Sequence, residues 1–286
     1  MLANFRWLPQ KFPHLTGITP LKTGGQKAVF RCRHPKYGEC ALKIILPGRE
    51  NRIDRELEAV ARLQQIKSPY VPKVYEYGIV PTYSDRRIWI LEEFIDGMEL
   101  SDIIAAQPLS KDQLLQLASN LLSIIANAEL VNVVHRDIKP ENIKIDSNGQ
   151  AWLLDFGIAR ILDLDSKTAT SDILGPRTLG YCPPEQLRNQ KDDISSRTDL
   201  FAVGVVLYES VMQINPYLHN ARDQFETMRR IENDAFPRLS LPWDTRGRFS
   251  EFVAALTQRQ FRHRPDTGKE ALAWFEDIES DLGSTT

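Results

Sequence analysis

The 286-residue chain is read as an α+β protein in two lobes. Three observations predict this. The first third alternates short β-type runs with turn residues, the remainder carries long helical periods, and the character changes at Asp96-Gly97.

Residues 1–14 hold two prolines and no clear period, so they read as a lead-in. From Ile18 to Ile45, the runs Ala28-Val-Phe-Arg-Cys32 and Cys40-Ala-Leu-Lys-Ile-Ile45 are punctuated by Gly24-Gly25 and Pro35-Lys-Tyr-Gly38. That is strand, turn, strand. Residues 50–66 switch to a helical period, with Ile53, Leu57, Val60 and Leu63 on one stripe, and Ser68-Pro-Tyr-Val-Pro72 stops it. Val74–Val80 and Ile88–Ile95 read as strands and complete a first lobe over residues 15–95.

The second lobe, residues 96–286, begins with a helix over 110–130, where Ser110 is placed to cap. Ile143-Lys-Ile145 and Ala151-Trp-Leu-Leu154 flank Ser147-Asn-Gly149, a hairpin signal. Residues 158–182 are polar and aperiodic, hence a long loop, and helical periods return at 197–212, 221–233, 249–258 and 268–279. There is no internal repeat.

Composition narrows the function classes. With 36 Lys+Arg against 38 Asp+Glu, the net charge of −2 gives no general pull toward nucleic acid or anionic membrane. A 42% apolar and 26% charged chain is not largely disordered. No run of apolar residues is long enough to span a bilayer, and no signal-peptide core forms at the N-terminus. Cys32, Cys40 and Cys182 show no metal-ligand spacing and read as reduced thiols, which together predict a cytoplasmic protein. None of these features sets an oligomeric state.

The most informative stretch is His135-Arg-Asp-Ile-Lys-Pro-Glu-Asn142, followed 13 residues later by Asp155-Phe-Gly157. Phosphoryl transfer from ATP needs a carboxylate to orient the accepting hydroxyl and oxygen ligands for a divalent metal. Asp137, Asn142 and Asp155 supply that set on loops joined by a tight hairpin. At this point the chain resembles the eukaryotic-type serine/threonine protein kinase family, whose catalytic-loop and metal-binding signatures these are. The resemblance runs over about residues 15–280.

It implies a bilobal fold with a small antiparallel-sheet lobe plus one helix, a larger helical lobe, and ATP in the cleft. It implies that Asp137 orients the acceptor hydroxyl, that Asn142 and Asp155 hold Mg²⁺ (or Mn²⁺ in its place), and that Lys43 of Ala41-Leu-Lys43 meets the phosphates. Glu56, on the next helix, would pair with Lys43. Thr178-Leu-Gly-Tyr-Cys-Pro-Pro-Glu185 resembles the family's segment ending in Ala-Pro-Glu, with Pro183 where Ala is usual. Thr178 would sit beside the catalytic Asp, Glu185 would pair with Arg264, and Asp199 would anchor the catalytic loop.

The glycine-rich loop departs from the family pattern. Aligned on Val29, it reads Lys22-Thr-Gly24-Gly25-Gln-Lys27-Ala-Val29, with lysine where two glycines are usual. Gly24, Gly25, Val29 and Ala41 remain the expected nucleotide contacts, with Glu93 and Ile95 contributing backbone groups to adenine. The gatekeeper is Glu92 or, one residue earlier, Leu91; an acid buried there needs a partner.

Lys139 is the residue serine/threonine kinases carry at this position, so Ser/Thr acceptors on protein substrates are expected. Arg136 beside Asp137 goes with control by loop phosphorylation, for which Ser166, Thr168, Thr170 and Ser171 are candidate acceptors. Glu99 and Glu141 fall where related kinases recognise basic residues. His135 reads as packing support, Arg229-Arg230 and the acidic 276–281 segment as solvated helix faces, and Cys182 as a small core residue. Two rivals are a nucleotide-binding scaffold, favoured only by the altered glycine loop, and a small-molecule phosphotransferase, disfavoured by the Pro-Glu segment with Arg264.

Overall fold

The computed structural model describes residues 5–23, 27–45, 60–82, 86–156 and 176–283. Contacts divide the chain into two compact units, the first including Pro72–Ile95 and the second Ile66–Val71 and Asp96–Gly157.

The first unit is built on five antiparallel strands: β1 (Thr16–Thr23), β2 (Lys27–His34), β3 (Gly38–Ile45), β4 (Val74–Pro81) and β5 (Arg86–Glu93), in the order β1-β2-β3-β5-β4. β3 lies centrally, and its five residues Cys40–Ile44 are all buried, as expected of a strand covered on both faces. One face carries Cys40, Leu42 and Ile44 of β3 with Phe30 and Leu91. The residues before β1 close over it. Helix α1 (Leu8–Lys11) and its flanks place Phe5, Trp7, Leu8, Phe12 and Leu15 in that core, Phe5 edge-on to Phe30 at 5.2 Å and Phe12 to Trp89 at 5.1 Å. The lead-in is therefore a structural part of the sheet's core. Its aromatic spacing has no period because turns, rather than one long helix, present it to the sheet.

Of the helix expected over 50–66, residues 60–63 are helical, with Val60 fully buried, and residues 50–59 lie outside the described residues.

The second unit opens with a two-residue strand β6 (Met98–Glu99) and α2 (Leu100–Ala106), a seven-residue helix too short to give a readable period. Helix α3 (Lys111–Glu129) starts at Ser110, whose Oγ accepts from Gln113 N while Gln113 Oε1 accepts from Ser110 N at 3.0 Å. Strands β7 (Ile143–Ile145) and β8 (Ala151–Leu153) form the expected hairpin and pair with β6 as β6-β7-β8. Asp146 holds the turn by accepting from Asn148 N, Gln150 N and Trp152 Nε1 at 2.8–2.9 Å.

Within the segment expected as one long loop, α4 (Pro176–Leu179) forms instead, followed by α5 (Pro184–Leu187). Helix α6 (Ser196–Met212) is buried almost all round, hence central. Helices α7 (Gln224–Asn233), α8 (Arg248–Leu256) and α9 (Gly268–Gly283) complete the unit, and α3 packs on both α6 and α9. Arg230 of α7 is not a solvated face. It donates to the carbonyl of His219 at 2.6 Å and pairs with Glu226, fastening the preceding loop, whereas Arg229 pairs with Asp234 at the surface.

Candidate active site

The catalytic loop of the second unit is anchored from beneath by α6. Asp199 is buried, and its two carboxylate oxygens accept from the backbone N–H groups of His135 and Arg136, both at 2.7 Å. A charged acceptor with two well-aligned donors is a strong, directional hold. It supports Arg136 in the left-handed region, φ 64°, a conformation that costs free energy and turns the chain sharply just before Asp137. Gln186 adds a bond from its Nε2 to the Arg136 carbonyl at 2.9 Å.

His135 is buried and wedges the loop against the segment that bears Asp155. Its Nδ1 accepts from Asp137 N at 3.2 Å, so the proton resides on Nε2, which donates to the Leu154 carbonyl at 3.0 Å. Its ring lies 4.5 Å from that of Phe156. The imidazole is engaged in packing and hydrogen bonding on both ring nitrogens.

Asp137 is half-buried and sits in a ring of partners. Lys139 Nζ reaches Asp137 Oδ1 at 3.2 Å and donates to Thr178 Oγ1 at 2.8 Å. Asn142 Nδ2 donates to the Asp137 carbonyl at 2.8 Å and to Oδ2 at 3.0 Å. Lys139 thus meets one carboxylate oxygen and Asn142 the other. Thr178 is buried with its hydroxyl taken up by Lys139, so α4 is tied directly to the catalytic loop.

Asn142 and Asp155 fit a hard cation. The Asn142 amide nitrogen is committed to Asp137, so its amide oxygen is the atom that could meet a cation, and the Asp155 side chain is a carboxylate, a ligand type that suits one. The Leu154 N–H donates to the Asn142 carbonyl at 2.8 Å, linking the two segments, and Asp155 itself has φ 63°. Glu141 occupies the 3₁₀ turn Pro140–Asn142, and Glu99 precedes α2, where Ser101 Oγ donates to it at 3.5 Å.

Beneath the Pro-Glu segment, Glu185 and Arg264 make a two-pronged ion pair, 2.6 and 3.0 Å, with both side chains essentially inaccessible. Thr198 Oγ1 donates to Glu185 at 3.1 Å, and Arg264 also bonds the carbonyls of Arg197, Gln258 and Arg259. Cys182 is buried, as are Cys32 and Cys40.

In the first unit, Lys43 and Ala41 are buried on β3, while Val29 is half-buried on β2. Lys43 forms a close ion pair with Glu92 of β5. Leu91 lies on the opposite face, in the core with the lead-in aromatics, so Glu92 is the residue that shares the face of Lys43. The acid finds its partner in that lysine. Sequence reasoning missed the pairing because it depends on strand register. Glu93 N–H is taken by the Lys73 carbonyl at 2.9 Å, and Ile95 is buried. Glu56, Gly24, Gly25, Ser166, Thr168, Thr170 and Ser171 lie outside the described residues.

The protein kinase domain family matches residues 18–272. The serine/threonine-protein kinase PknL of Mycobacterium tuberculosis is 30% identical over 269 residues, 91% of this chain and 63% of its own length. A probable serine/threonine-protein kinase of Clostridium perfringens is 26% identical over 270 residues, 92% of this chain and 38% of its own. The serine/threonine-protein kinase PrkC of Bacillus subtilis is 35% identical over 159 residues, 55% of this chain and 23% of its own. Across these three, the chain matches between 23% and 63% of the relative's length. The chain belongs to the protein kinase domain family, and its antiparallel-sheet and helical units are the two lobes of that fold.

Proposed function

We propose that this member of the protein kinase family transfers the γ-phosphoryl group of ATP to serine or threonine hydroxyls of protein substrates. One observation carries the reading: the ring in which Asp137 is held by Asn142 and by Lys139, itself bonded to Thr178. A scaffold has no need of that arrangement. Asp137 orients the acceptor hydroxyl and receives its proton, and Lys139 sets positive charge beside the transferring group. Lys43 holds the phosphates, with Glu56 assigned by resemblance to support it. Gly24, Gly25, Val29 and Ala41 line the nucleotide, and Glu93 and Ile95 offer backbone groups to adenine.

Asn142 and Asp155 would hold Mg²⁺, or Mn²⁺ in its place, which when bound neutralises phosphate charge. The chain's own contribution is positioning: the Asp199 anchor, the His135 wedge and the Arg264–Glu185 pair fix the loop before substrate arrives. Arg136 would pair with a phosphate added at Ser166, Thr168, Thr170 or Ser171, with autophosphorylation as its source. Among the described residues no helix is long and apolar enough to cross a membrane, and three buried free thiols suit a cytoplasmic setting. The test is label transfer from γ-labelled ATP to a generic protein substrate, followed by phosphoamino-acid analysis. Phosphoserine or phosphothreonine is expected, and phosphotyrosine alone would overturn the acceptor assignment.

A further inference from the structure

β3 and β5 pair with Lys43 opposite Ile90 and with Ala41 opposite Glu92. Glu92 is therefore the diagonal neighbour of Lys43 on one sheet face, within reach of a long side chain. Both groups are withdrawn from water, with side chains 8% and 11% exposed, and the ammonium is in close contact with the carboxylate. Burying either charge without a counterion is strongly unfavourable. The flanking residues Leu42, Ile44 and Leu91 are fully buried on the other face, so the backbone under the pair is fixed by the core.

We propose that Glu92 is a positioning residue for nucleotide binding: a counterion, delivered by the sheet itself, that holds the Lys43 ammonium where phosphate is bound. An ammonium has three donors, so the ion pair with Glu92 does not by itself exclude a bond to a phosphate oxygen. A partner on the adjacent strand moves with the lysine as one rigid element, whereas a partner on a helix holds it only when that helix is in place. The resemblance assigns the supporting role to Glu56 alone; the sheet provides Glu92 for it as well. The inference rests on the kinase reading, since it presumes that Lys43 meets ATP.

The test measures Mg-ATP and adenosine affinity by calorimetry for wild type, Glu92→Gln, Lys43→Met and the double variant. Loss of the counterion acts on phosphate binding alone, so Glu92→Gln weakens ATP about fivefold or more and leaves adenosine within about twofold, the scale of a direct coupling. In the Lys43→Met background the same change has almost no effect on ATP. Equal losses for ATP and adenosine would mean that Glu92 merely shapes the pocket, and unchanged ATP affinity would also overturn the proposal. If wild type binds no Mg-ATP, the kinase reading itself fails. Should Glu92→Gln not fold, thermal melts decide: Lys43→Met must restore stability to a Glu92→Leu protein, and additive losses would contradict the pairing.

Discussion

At the residue scale, the grouping of Asp137 with Lys139 and Asn142 was readable because it is local. Asp137, Lys139 and Asn142 lie within six residues, and the hydrogen bonds among them span two to five positions. The same holds for Asp155, brought back by a tight hairpin. Pairings that depend on distant register were not readable, and Lys43 with Glu92 is the clearest case. Arg264 with Glu185 was expected only through resemblance, since 79 residues separate them. That pair yields a stability prediction. Glu185→Ala leaves a buried guanidinium without its carboxylate and costs about 3–5 kcal/mol. Denaturant unfolding of the variant beside wild type checks it, and a loss well under 1 kcal/mol would show the pair to be unimportant.

At the scale of elements, long segments with one apolar stripe were legible and short ones were not. Helices α3, α6 and α9 follow their periods within a few residues, whereas α2 and α4, at seven and four residues, give none. The lead-in was illegible for a related reason: its core residues Phe5, Trp7, Leu8 and Phe12 reach the sheet from one four-residue helix and the turns around it. The three-stranded β6-β7-β8 sheet, which presents Asn142, depends on a close approach at Gly97. A Cβ there would lie 2.5 Å from the Ile145 carbonyl oxygen, a backbone atom that cannot rotate away. Gly97→Ala is predicted to part β6 from β7, destabilise the domain by about 1–3 kcal/mol and lower phosphotransfer. A melt coincident with wild type and unchanged transfer would refute this. Asp146, at the hairpin turn, is held below the usual carboxylate range: burial raises its pKa, but bonds from Trp152, Gln150 and Asn148 outweigh it. Its contribution is present at neutral pH and is lost as pH falls through that lowered value. Asp146→Asn should reduce the acid sensitivity of unfolding, and an unchanged pH dependence would contradict the assignment.

For the whole molecule, the sequence indicated two units of different composition, and each has its own core. All three cysteines serve as packing. Burial, with smaller effects from Cys40 and Glu39, pushes the Cys32 thiol from near 9 up to about 12. Between those values the unfolded chain releases a proton that the folded chain keeps, so stability is full below about pH 9 and falls as pH rises. Two results are expected: thiol reagents modify the native protein only at the rate of unfolding, and Cys32→Ala flattens the alkaline decline of the denaturation midpoint. Rapid labelling at pH 8 of native protein would contradict the burial.

The proposed phosphotransfer depends on the ring around Asp137. Its most direct test compares wild type with Asp137→Asn for Mg-ATP binding and for label transfer from γ-labelled ATP to protein serine and threonine. Both proteins are predicted to bind Mg-ATP with similar affinity, and transfer is predicted to fall by at least about 100-fold in the variant, as expected when the group handling the acceptor proton is removed. Transfer that survives Asp137→Asn undiminished would remove Asp137 from the reaction, and a wild type that binds Mg-ATP and transfers nothing would not be a phosphotransferase.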